Sequence, residues 1–242
     1  MGGNLLEEWA ENFFEKQWCL IQKALPVFDA QPRIDLSLDS NRLTLQLTVP
    51  LSYAGKSVSD VELSLVSSSD LYSIYVEYQV GEDPVDQQPA VHLSTFQLRV
   101  AESPIIRFEY DRDKTSVPSA HIHVHGTNLL SAGLVQNYKV GGKRKGKRTG
   151  VLDELHIPVG GNRFRPTLED FLYFVIGECG FRSREGWENN LLDHREEWME
   201  AQCRAVVRDS PSIAARELKD LGYEIVASPL KVDESSPHRK VW

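Results

Sequence analysis

From Leu43 to Tyr110 the chain keeps returning to one pattern, apolar residues at every second position, and this restricts the fold more than anything else in the sequence. Leu43, Leu45, Leu47 and Val49 alternate with polar neighbours, as do Val61, Leu63 and Leu65, then Tyr72, Ile74, Val76 and Tyr78, and later Ile106, Phe108 and Tyr110. Successive side chains of a strand point to opposite faces, so the period describes strands with one apolar and one polar side. Asp39-Ser40-Asn41 reads as a turn after an earlier strand over 33–38. Gly81-Glu82-Asp83-Pro84 opens a polar loop that ends near Pro89, and a further strand follows over 91–100. Strands joined by turns or short loops, without helices between them, pair antiparallel. About seven or eight of them should curl, as a curved sheet or a partial barrel.

Helical spacing flanks this block. Over residues 5–25, Leu6, Trp9, Phe13, Leu20 and Ala24 fall near one face, while Glu7, Glu8, Glu11 and Glu15 lie mostly elsewhere and Pro26 marks the stop. Thr167, with Asp170 three residues on, predicts a capping-box helix running into Gly177 or Gly180. A longer helix is expected over 185–208, with Trp187, Leu191, His194, Trp198, Ala201 and Ala205 as its stripe, and His194 packed rather than catalytic. Ser210-Pro211 starts a third helix that ends at Leu221-Gly222, and residues 223–226 read as a short closing strand. The expected fold class is therefore α+β. Residues 1–165 form a helix plus a mostly antiparallel sheet, 166–230 a C-terminal helical region packed on it, and 231–242 a flexible tail.

Hydrophobic residues make up 41% of the 242, enough for a core. The longest apolar run, Phe171-Leu172-Tyr173-Phe174-Val175-Ile176, is far short of the roughly 18 residues of a membrane span. The first residues are acidic where a secretory leader is basic. Three cysteines without close spacing fit a reducing compartment, so a cytoplasmic location is expected, with Cys179 and Cys203 buried and inert.

The net charge is −8, which excludes a general DNA-coating protein. Residues 101–150 nevertheless carry nine basic and four acidic side chains, and Lys143, Arg144, Lys145, Lys147 and Arg148 form a glycine-rich basic loop suited to a phosphate chain. Arg163 and Arg165, leading into the Thr167 helix, are further substrate-binding candidates, because helix N-termini favour anions.

His121-Ile122-His123-Val124-His125 is the unusual string. Strand alternation sends its three imidazoles to one face. Arg107, Glu109 and Asp111 in the preceding strand, and Glu154 and His156 in the following one, share that face if the three strands are neighbours. A solvated sheet face is also polar, but it is ordinarily filled by Thr, Lys and Glu rather than by imidazole. Residues i and i+2 lie about 6.6–6.8 Å apart and can share a metal, whereas i and i+4 are too distant. The ligand set is then two of the three histidines plus His156 or a carboxylate from the next strand. Candidate ligands of a divalent metal are His121, His123, His125, His156, Glu109 and Asp111. Without a metal, His121, His123, His125 and His156 would serve as general acid, base or nucleophile.

His-Ile-His-Val-His resembles the histidine-triad signature of nucleotide hydrolases and transferases, which implies His123 as the nucleophile on an α-phosphate. Gly126 and Thr127 stand where that signature has two apolar residues. Over about residues 105–176, three further pieces resemble the small TumE-type toxins of toxin–antitoxin systems. These are Arg107-Phe108-Glu109-Tyr110-Asp111, Pro118-Ser119-Ala120-His121 and Thr167-Leu168-Glu169-Asp170-Phe171-Leu172. That resemblance implies an activity directed at nucleic acid. Two functions follow as expectations. One is a phosphoryl-group enzyme hydrolysing nucleotides or RNA, a nuclease included, with RNA or nucleotide held at the basic loop. The other is a non-enzymatic module that binds a protein partner, of the toxin–antitoxin or phage-defence kind. No membrane partner is expected.

Overall fold

Alternation becomes a seven-stranded antiparallel meander. In the computed structural model, which describes residues 3–26, 33–37, 42–52, 72–83, 88–114, 116–125, 157–159 and 163–226, the strands lie side by side in chain order. They are β1 (Arg33–Ser37), β2 (Arg42–Leu51), β3 (Tyr72–Glu82), β4 (Pro89–Val100), β5 (Ser103–Asp111), β6 (Ala120–Val124) and β7 (Ile157–Pro158). β1 and β7 are the two edges of an open, curved sheet, so of the two expected shapes it is the open one that forms. Register shifts at Gln79/Val80 and Leu98/Arg99 mark bulges, which bend and twist long strands.

One face carries Val49, Ile74, Val76, Val80 and Phe96, all buried, and is covered by helices. α1 (Gly3–Ala24) turns Ala10, Phe14, Leu20, Ile21 and Ala24 inward, with Trp9 and Phe13 partly buried beside them. α2 (Leu168–Tyr173) continues into a single π-helical turn over Phe174–Glu178. It presents Phe171 to Phe96 and Phe108, at ring-centroid distances of 5.8 and 5.5 Å. The capping box forms as the sequence predicts. The Asp170 backbone N–H donates to Thr167 Oγ1 at 3.3 Å, and the Thr167 N–H donates to Asp170 Oδ2 at 3.0 Å. α3 (Trp187–Asp209) lies against α1 and α2, and α4 (Pro211–Asp220) follows it. The segment between α2 and α3 is tied to the rest through its backbone. Arg182 N–H donates to Ser52 O at 2.7 Å, and Arg184 N–H to Ala24 O at 2.9 Å. The sheet and the C-terminal helices share one hydrophobic cluster.

Two expectations give way. Residues 223–226 form no strand: Tyr223 and Val226 are 64% and 84% exposed, because four residues without a neighbouring sheet edge have nothing to pair with. Neither cysteine expected to be buried is so: Cys179 is half-buried beside the core, and Cys203 is exposed on α3, since the helix turns Leu191 and Ala205 inward instead. The expected strand through Val61, Leu63 and Leu65, and the tail 231–242, lie outside the described residues. No described helix is long and apolar enough to cross a membrane.

Candidate metal centre

β5 and β6 are direct neighbours, and their register sets Glu109 opposite His121 and Arg107 opposite His123. Phe108 and Ile122 turn to the helix-covered core, so these four polar side chains stand on the other face. That face is not simply solvated here, because His121 and His123 are only 3% and 5% exposed. The two rings meet edge to face with centroids 4.8 Å apart.

Both imidazoles converge on one oxygen. His121 Nε2 lies 3.1 Å and His123 Nε2 3.0 Å from Glu109 Oε2, while Arg107 Nε is 3.0 Å from Glu109 Oε1. Burial alone would raise the pKa of Glu109. The hydrogen bonds from His121 and His123 and the charge of Arg107 outweigh it and hold the carboxyl well below its usual range.

The other nitrogen of His121 decides what this arrangement means. His121 Nδ1 is 2.7 Å from the carbonyl oxygen of Pro118, which can only accept, so Nδ1 carries the proton. Asp111 N–H donates to Ser119 O at 2.8 Å and closes the connection that presents this carbonyl. A His121 protonated only at Nδ1 would aim a bare Nε2 lone pair at a carboxylate oxygen. Two acceptors at 3.1 Å repel unless a second proton or a cation lies between them. A ring N–H held by a backbone carbonyl is one way in which proteins fix the tautomer and orientation of a metal-ligating histidine. In tetrahedral coordination with bonds of about 2.0–2.1 Å, ligand atoms sit about 3.3 Å apart. Ligand atoms of Glu109, His121 and His123 all lie within 4.8 Å of one another. Two imidazoles and one carboxylate form a donor set used by catalytic zinc and by ferrous iron, with coordination positions left open.

The remaining sequence candidates divide. His125 follows the last residue of β6 and its ring is 6.2 Å from that of His123, outside the three-residue cluster. Asp111 accepts from Asp113 N–H at 3.1 Å and lies 3.8 Å from Lys114, so its carboxylate serves the turn after β5. His156, Glu154 and the basic loop residues Lys143, Arg144, Lys145, Lys147 and Arg148 lie outside the described residues. Arg163 and Arg165 are described, but with the opposite face. Arg163 bonds Asp209 of α3, and the Arg165 guanidinium lies 4.0 Å from the ring centre of Tyr110. Tyr110 follows Glu109 in the same strand and points the other way, so the sheet separates both arginines from the histidines.

The Pro118 carbonyl is the functional group that sequence reasoning missed, and no side-chain pattern could have signalled it. Alternation could have shown how far the polar face extends. On β3, Tyr75 Oη donates to Glu77 Oε2 at 2.9 Å and Gln79 Nε2 to Glu77 Oε1 at 3.3 Å. On β4, Arg99 Nε donates to Gln97 Oε1 at 2.8 Å. No family model, curated protein or solved structure matches the chain.

Proposed function

We propose that Glu109, His121 and His123 hold a divalent metal ion, and that the protein hydrolyses phosphate esters of nucleotides or RNA. The observation that carries this reading is the convergence of two imidazole nitrogens on one carboxylate oxygen while Pro118 O occupies the other nitrogen of His121. A bound metal supplies Lewis acidity and lowers the pKa of its water to about 7. His121 and His123 would offer imidazole nitrogens to the ion and Glu109 a carboxylate oxygen. Arg107, on the same carboxylate, adds a positive charge to the cluster that would suit an anionic substrate. The preference for phosphate draws on the sequence between the histidine strand β6 and its neighbour β7, which carries Lys143, Arg144, Lys145, Lys147 and Arg148. His123, the nucleophile of the histidine-triad resemblance, has its Nε2 engaged by Glu109, which favours a ligand's role over an attacking one.

Elemental analysis of the purified chain, joined to a screen against nucleotides and short RNAs with and without a chelator, tests this directly. One bound metal per chain and chelator-sensitive turnover, both lost in His123→Ala, are expected. Wild-type protein with neither metal nor turnover would refute the reading. It would favour the second one, a protein-interaction module, for which the observation is the apolar exposure along α4 and past its end: Ile213 and Leu218 are each 40% exposed and Leu221 74%.

A further inference from the structure

On the helix-covered side of the sheet, a cavity of about 550 Å³ opens between α1, α3 and the facing ends of β4 and β5. This lies inside the range of about 300–1,000 Å³ typical of small-molecule sites. Its walls carry a charge that the whole molecule does not. Lys16, Arg112, Arg163, Arg165 and Arg208 line it, and Glu197 is its one acidic wall residue. Lys16 pairs with Glu197 at 3.0 Å, Arg112 with Asp83, and Arg163 with both oxygens of Asp209 at 2.7 and 3.0 Å. Basic side chains thus outnumber acidic ones among the described residues of the walls, in a chain whose net charge is −8.

Arg165 is the most constrained of them. It is deeply surrounded by protein yet still partly accessible, because the cavity opens onto it. Burial first, and the neighbouring charges of Arg163 and Arg112 after it, pull its pKa below the ordinary value. An anion in the cavity would relieve both effects.

Flat aromatic surface accompanies the charge. Trp9 and Trp198 line the same walls with Tyr110, and the Arg165 guanidinium lies 4.0 Å from the Tyr110 ring centre and 6.0 Å from that of Trp198. Ala201 and Ala205 present only methyl groups to the space from α3. Two buried polar atoms complete the inventory. His194 Nδ1 is engaged by the carboxylate of Glu169, which leaves Nε2 for another partner. His194 Nε2 and Gln202 Oε1 are both buried with no hydrogen-bond partner among the described residues, and both residues line the cavity. Orphaned buried polar atoms are costly and call for a partner.

A ligand that satisfies all of this bears an anion for the arginines, a flat ring for the tryptophans, and hydroxyl or amine groups for the two orphaned atoms. We infer that the cavity is a binding site for a nucleoside monophosphate: arginines hold the phosphate, Trp9 and Trp198 hold the base, and His194 and Gln202 bond the sugar or the base. The site is separate from the metal centre, because the sheet stands between them.

The test is a titration of the full chain with AMP, adenosine and inorganic phosphate, each in the presence of a chelator, following tryptophan fluorescence. Saturable quenching by AMP is expected, with adenosine and phosphate at least about tenfold weaker, since neither engages both halves of the site. Ala201→Phe, which fills space from an exposed helix position, should weaken AMP at least about tenfold, and Arg208→Gln several-fold, with melting temperatures unchanged. Absence of saturable AMP binding, adenosine binding as tightly as AMP, or an affinity indifferent to Ala201→Phe would each overturn the assignment. Binding that the chelator abolishes would move the ligand to the metal centre and overturn it as well.

Discussion

The two faces of this sheet are built from the same strands and do opposite things with burial. On the helix side, Phe96, Phe108 and Phe171 interlock and no polar side chain is needed between them. On the other side, one carboxylate gathers two imidazoles and a guanidinium, and the buried groups are held by directed contacts. Phe108, Glu109 and Tyr110 are consecutive, so the change from one regime to the other takes a single residue step. The lesson is that a meander of alternating strands can carry a dry core and a buried polar cluster without dedicating separate segments to either.

The contrast can be broken from either face. Phe171→Ala on the apolar side should cost about 3–5 kcal/mol of stability in urea unfolding, through lost burial and the void left behind. A cost below about 1 kcal/mol would mean that the aromatic cluster is not the centre of the core. Glu109→Gln on the polar side should weaken metal affinity at least about 100-fold in a calorimetric titration, because loss of an outer partner alone costs 10–100-fold. Its metal-free unfolding free energy should change less than that of Phe171→Ala, and the reverse order would erase the distinction.

A smaller effect separates the faces by pH. Burial raises the pKa of Glu169 on α2, but its hydrogen bonds from His194 and Thr167 outweigh this and leave the pKa below the ordinary 4.5. A carboxylate with a depressed folded pKa stabilises fully above its unfolded value and loses that contribution as pH falls through the folded one. Stability should therefore decline as pH drops below about 4.5, and Glu169→Gln should flatten the decline in acid-unfolding curves. Smallest of all, Thr167→Ala should cost about 1 kcal/mol in thermal unfolding by removing the cap of α2.

What was legible in the sequence follows from which forces act locally. Strands β2, β3, β4 and β5 could be read because each records its own two faces. The Thr167–Asp170 cap could be read because both partners lie within four residues. Alternation also placed Glu109, His121 and His123 on one face, and the i, i+2 limit singled out neighbouring histidines. It could not reveal that Arg163 and Arg165 belong to the opposite face. Their position depends on how the segment before α2 crosses the sheet, and no periodicity in that segment encodes it. The cavity between α1 and α3 was equally hidden, since its walls come from both ends of the chain. Residues 223–226 misled because a short apolar run looks the same whether or not a sheet edge waits for it.

Among the described residues every strand of the meander pairs only with its neighbour in strand order, and this has a consequence for the order of assembly. The cluster of Glu109, His121 and His123 spans one hairpin, and closing so short a loop costs little entropy. The contact of α1 with α3 joins residues far apart in sequence: Lys16 and Glu197 are separated by 181 positions. Sheet growth can therefore proceed hairpin by hairpin, and the helical clasp that walls the cavity closes last. Pulsed hydrogen exchange during refolding should protect the amides of β5 and β6 before those of α1, and simultaneous protection would show that the clasp nucleates the fold instead.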